Sequence, residues 1–155
     1  MSRLAILGSY PEGAESSDYS TFPGMWSPWK RKADSKYAVW KNAEAELRPL
    51  LSRGVKVYVH FGSGAPISLV LTIDDIVIDE RMIGPPGPTY ADFRKETSHV
   101  WIRYKGAKEL KPAIDWRTLS ELVQVDGKFT LERPIGEAAW SQMYRTGLFF
   151  IKDPR

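Results

Sequence analysis

The chain has 155 residues, 22 Lys and Arg against 19 Asp and Glu for a formal charge of +3, and no cysteine. That length suits one domain over 1–155 with a single core. The missing cysteine excludes disulfides, thiolate metal sites and a cysteine nucleophile, with the cytoplasm as the expected compartment, and so small a charge excess argues only weakly for an anionic partner.

Leu4–Leu7 is a short apolar run closed by Gly8, which reads as a first strand. The apolar part of this N-terminus is too short for a signal peptide. No run reaches the ~20 apolar residues of a membrane-spanning helix, so no membrane association is expected. From Ser9 to Pro28 the chain is rich in Gly, Pro, Ser and Asp and carries Tyr10, Tyr19, Phe22 and Trp26. A loop that long with that many rings suggests a binding element.

Tyr37, Trp40, Ala43, Leu47 and Leu50 recur at steps of three and four, an amphipathic helix with Asp34 or Ser35 as its cap and Pro49 ending or kinking it. Residues 54–79 read as a β-hairpin at the centre of a sheet. Val55, Val57 and Val59 alternate with Lys56, Tyr58 and His60, so the first strand is expected to have a wet face. Ile67 to Ile73 is continuously apolar, so the second is expected to have none. Gly84-Pro-Pro-Gly-Pro-Thr-Tyr90 cannot be regular, and reads as a rigid loop between strands.

In the strand His99–Tyr104, Val100, Ile102 and Tyr104 alternate with Trp101 and Arg103, so Trp101 faces away from its neighbours. Asp115 caps a short helix burying Trp116, Leu119, Leu122 and Val123. Asp126-Gly127 turns into a strand through Phe129–Leu131. A last helix spans Pro134 to Arg145, and Leu148–Ile151 is a final strand or tail. This order predicts an α+β domain with a mixed, mostly antiparallel sheet curled into a small barrel with flanking helices.

The chemistry-bearing residues are sparse. His60 and His99 have no partner at ligand spacing, which leaves no metal site and no cofactor to expect. Asp74 and Asp75 point to opposite faces of an extended strand and form no acid/base pair unless a bulge intervenes. Gly62-Ser63-Gly64 lacks the helix and the His-acid partners of a nucleophile elbow. No catalytic residue is assigned. What stands out is Phe22-Pro-Gly-Met-Trp26-Ser-Pro-Trp29-Lys-Arg-Lys32, with two rings for stacking, or for plugging the sheet end, and three cations for phosphates.

Gly24-Met-Trp26-Ser-Pro28, Phe61-Gly-Ser-Gly64, Val100-Trp101-Ile102 and Ile114-Asp-Trp-Arg-Thr-Leu119 resemble, in order and approximate spacing, motifs of EVE and YTH domains of the PUA-like superfamily. The resemblance implies a non-catalytic nucleic-acid-binding reader that holds a modified base, such as N6-methyladenine or a modified cytosine, in an aromatic pocket. Its partner would be modified DNA or RNA, with a separate or fused effector protein. By position it implies base contacts from Trp26, Ser27, Trp29, Tyr90 and Phe93. Lys30, Arg31, Lys32, Arg94 and Lys95 would then hold phosphates. Two competing readings use the same surface. One is a nucleotide- or nucleoside-binding protein or hydrolase of PUA-like shape with His60 or Asp75 as acid/base, and the other is a protein-interaction module built on the proline loop at 84–88.

Overall fold

The computed structural model describes residues 4–9, 24–29, 35–60, 65–89, 95–141 and 148–154. Its strands are β1 (Leu4–Ser9), β2 (Trp26–Pro28), β3 (Val55–His60), β4 (Ile67–Ile78), β5 (Val100–Ile114), β6 (Ser120–Val125), β7 (Lys128–Pro134) and β8 (Leu148–Lys152). The helices are α1 (Tyr37–Leu47) and the short α2 (Glu137–Ser141). They form an α+β domain built on one eight-stranded sheet in the order β2-β5-β4-β3-β1-β8-β6-β7. The named strands pair antiparallel except β1 with β3. The expected curl into a barrel is not observed: β2 and β7 end the order without pairing to each other among the described residues.

The hairpin β3–β4 lies inside the sheet as expected, but its two burial expectations are reversed. β3 is buried on both faces except at Lys56, because its parallel partner β1 sits beside it and both faces are covered there. β4 is only half-buried at Ser68, Leu69, Thr72, Asp74, Asp75 and Val77. Its apolar run breaks over two register shifts that flank Ile73, and such bulges re-aim side chains.

Side-chain alternation sorts the core into two layers. Leu4, Ile6, Val55, Val57, Val59, Ile102, Tyr104, Leu148 and Phe150 meet Trp40, Ala43 and Leu47 of α1 on one face. Ala5, Leu7, Tyr58, Phe149 and Ile151 meet Trp116, Leu119, Ile135 and Trp140 on the other. α1 has Lys36 at its N-cap, one residue beyond the expected position, and makes no side-chain cap bond. Pro49 ends it as expected, and Arg48–Leu50 continues as a 3-10 turn.

Three further elements differ from the sequence reading. β2 is a short edge strand inside what reads as loop. β5 runs on past Tyr104 as far as Ile114, although Lys105-Gly-Ala-Lys-Glu-Leu-Lys-Pro lacks β-branched residues; β4 recruits it through pairing, and Pro112 is tolerated where β2 no longer flanks it. Leu122 and Val123 belong to β6, because the Asp115-capped segment is only the 3-10 turn Trp116–Thr118. Asp126 and Gly127 take φ of 53° and 78° between Val125 and Lys128, the two-residue turn their sequence demands.

Candidate functional site

The second face of the sheet is not evenly covered. At the β2–β5 end a cleft of about 400 Å³ is lined by Met25, Ile83, Gly84, Pro85, Gly87, Pro88, Thr89 and Trp101. Its volume falls within the roughly 300–1,000 Å³ of small-ligand sites. The outer wall is the proline loop, tied at both ends. The backbone N–H of Trp26 donates to Pro88 O at 2.9 Å, and that of Ser98 donates to Met82 O at 3.2 Å. At the loop's start Arg81 grips Asp79 through Nε and Nη2 at 3.0 and 2.7 Å, and these hydrogen bonds lower the Asp79 carboxyl pKa to about 2.

The inner wall is Trp101. Its indole N–H donates to Ser98 O at 3.0 Å, which fixes the ring's orientation, and Gly84 lets the loop approach. A Cβ at Gly84 would sit 3.1 Å from the Trp101 ring. Trp101 is 2% exposed, so it presents little surface to the cleft that it lines.

Trp26 flanks this wall. It pairs with Arg103 across β2 and β5, two residues along from Trp101, so the three side chains share one face. The Arg103 guanidinium lies 5.5 Å from the Trp26 ring centroid, within cation–π range, while its Nε donates to Asp74 Oδ1 at 2.9 Å. That hydrogen bond holds the guanidinium pKa above its ordinary value. Trp26, expected as a base contact, is 4% exposed and is not among the residues that line the cleft; it backs the loop at Gly87, whose φ of +129° suits glycine.

The other expected base contacts separate. Residues three apart on a strand point to opposite faces. Trp29 therefore lies across the sheet from Trp26, packed edge-on against Trp40 at 5.5 Å between centroids, as part of the helix-side core. Ser27 pairs with Ile102, is buried on that same side, and does not reach the cleft. Tyr90, Phe93, Lys30, Arg31, Lys32 and Arg94 lie outside the described residues, as does Phe61–Gly64. Lys95 is exposed in a turn. Sequence reasoning missed Trp101 and Arg103 as site residues. The alternation along 99–104 carried that signal.

Among the described residues His60 and Asp75, the two alternative acid/base groups of the hydrolase reading, stand in separate surroundings. The β3–β4 register pairs Val55 with Ile73 and Tyr58 with Val70, which sets His60 and Asp75 toward opposite ends of the hairpin, on the order of 20 Å apart. The β-bulge does bring irregularity at Asp74–Asp75, yet each carboxylate has its own cation: Arg103 for Asp74, and Arg48 at 3.7 Å for Asp75. His60 is 6% exposed, edge-on to Trp140 at 4.1 Å, and its Nε2 has no hydrogen-bond partner among the described residues. Burial lowers its pKa. Trp140 in turn stacks on Trp116 at 5.0 Å. Among the described residues no group of three metal-ligating side chains forms, and no helix is long and apolar enough to cross a membrane.

No family model, curated protein or solved structure matches this chain.

Proposed function

We propose that the protein is a non-catalytic PUA-like domain of EVE or YTH type that binds DNA or RNA and receives a modified base in the cleft between the proline loop and Trp101. The supporting observation is the cleft itself, apolar on the Met25, Ile83 and Pro85 side, with an oriented indole as its inner wall and a cation two residues away on the same strand face. Such a site takes an unpaired or flipped base, and ring contact offsets the few kcal/mol of unstacking. A methyl group buried against Met25 and the prolines adds about 0.8 kcal/mol, roughly fourfold in affinity. Pro85, Pro86 and Pro88 restrict the loop and backbone hydrogen bonds tie its ends, which reduces the ordering entropy lost on binding.

Fluorescence polarisation with short single- and double-stranded DNA and RNA, unmodified or carrying N6-methyladenine or 5-methylcytosine, tests this reading. Binding that favours one modified strand, and that weakens in Trp101→Ala while the variant stays folded, is the expected result. Equal affinity for modified and unmodified strands overturns the selectivity. No binding to any strand by the folded protein overturns the reading.

A further inference from the structure

Among the described residues β2 pairs with β5 at Trp101–Arg103, and the Gly24 N–H adds a bond to Tyr104 O at 2.7 Å. Further along β5 Lys105 and Lys108 are both exposed. The register shift between Thr72 and Ile73 pairs Gly106 with Thr72 and Tyr104 with Ile73, leaving Lys105 as the extra residue. That irregularity keeps Trp101, Arg103, Lys105 and Lys108 on one face. Tyr104 packs into the helix-side core, whereas a Cβ at Gly54 would meet the Lys105 ammonium at 3.4 Å on the opposite side. Lys108 pairs with Val70, which belongs to that same opposite layer. Glu109 pairs with Leu69, whose side chain packs toward the helix side, so the carboxylate leaves the row.

Neither Lys105 nor Lys108 makes an ion pair among the described residues, although the exposed Lys111 and Glu109 approach to 3.7 Å. Among those residues Asp74 engages Arg103 through Nε alone, which leaves the two terminal nitrogens as donors. Three cations thus share the sheet face that carries the cleft wall, with Lys105 reaching across β4 toward Gly54.

Building on the cleft reading, we infer that Arg103, Lys105 and Lys108 form the track for the sugar-phosphate backbone of the bound strand, so that the ligand is a single-stranded stretch of nucleic acid running over the β5–β4 face from the base held at Trp101. The chemistry divides accordingly: the cleft selects the base, and the row contributes sequence-independent, salt-sensitive affinity. A free nucleoside uses only the cleft.

The test compares Lys105→Gln/Lys108→Gln and Arg103→Gln with the parent chain, using a fluorescent 12-nucleotide single strand that carries one N6-methyladenine or 5-methylcytosine, together with the corresponding free nucleosides. For the double lysine variant the plot of log affinity against log salt should flatten by about 1.4, which is about 0.7 for each phosphate no longer neutralised, with nucleoside affinity and thermal midpoint unchanged. Arg103→Gln should flatten it by about 0.7. Since that variant also frees Asp74, Arg103→Lys should restore the slope. An unchanged slope in the variants, where the parent chain does bind the strand, overturns the track and leaves the cleft standing. Equal loss of nucleoside and strand binding in the lysine variant also overturns it. If the parent binds neither strand nor nucleoside, the cleft reading fails and the track with it.

Discussion

Trp29 and Trp101 are both nearly buried and stand on neighbouring strands, where Pro28 pairs with Trp101 and the Trp29 N–H donates to Val100 O, yet their rings enter opposite layers. Trp29 stands on the helix side, where Trp40 and Phe150 continue the aromatic packing and α1 closes the layer. Trp101 stands on the other side, where a loop of prolines and glycines covers it and leaves a cleft. A sheet covered by an amphipathic helix is filled by continuous apolar packing. A sheet covered by loops has gaps, and its side chains meet polar atoms and solvent. The same contrast recurs in the two buried nitrogens that lack partners among the described residues, Trp40 Nε1 on the helix side and His60 Nε2 on the other. The indole cannot take up a proton near neutral pH, and the imidazole can.

The largest expected effect tests the packing half of this contrast. Trp29→Ala should cost about 3–5 kcal/mol in urea unfolding, because it empties a filled layer against Trp40 and Gly8. Trp101→Ala should cost less, below about 3 kcal/mol, since the space it leaves joins an existing cleft. Equal losses, or a larger loss at Trp101, would mean that the cleft wall is as much core as the helix side.

How far the sequence revealed these two regions follows from the kind of signal each leaves. The helix side was legible, because Tyr37, Trp40, Ala43 and Leu47 repeat at helical spacing and the Val55, Val57, Val59 alternation names the strand face they meet. The cleft side was legible only in part. The proline loop and the Trp101/Arg103 alternation were visible, but the identification of Trp26 and Trp29 as a pair failed, since a loop reading hid the three-residue strand that sends them to opposite faces. The extension of β5 to Ile114 left no local trace, because β4 imposes it through pairing and bulges. Non-local pairing overrides weak strand propensity there.

A smaller effect sharpens the contrast between the buried nitrogens. The His60 imidazole is held neutral by burial, so its folded pKa lies below the unfolded value of about 6.5. As pH falls below about 6.5 the unfolded chain takes up a proton that the folded one resists, and stability declines toward acid with a limiting slope of about 1.4 kcal/mol per pH unit. Above that pH the contribution is constant. The stability difference between the parent chain and His60→Phe, measured by urea unfolding from pH 8 to pH 5, should therefore shift against the parent as the solution is acidified. A difference that stays constant over that range would show that the imidazole is free to protonate in place.

The smallest effect concerns how the loop-covered face is held where it is well packed. Asp115 Oδ1 accepts from the backbone N–H of Arg117 at 3.0 Å and from its Nη1 at 3.3 Å, while the Arg117 guanidinium lies 4.9 Å from the ring centroid of Trp116, the residue stacked on Trp140. Two interactions share that oxygen, and they differ in worth. The cap satisfies a backbone donor that the 3-10 turn leaves open, about 1 kcal/mol, whereas the ion pair is exposed on both partners and contributes between nothing and about 1 kcal/mol. Asp115→Ala removes both and should lower stability by about 1 kcal/mol. Asp115→Asn keeps the accepting oxygen, loses the charge, and should stay within about 0.5 kcal/mol of the parent. If the asparagine variant falls as far as the alanine one in urea unfolding, the charge on Arg117 rather than the cap is what holds the turn over Trp116.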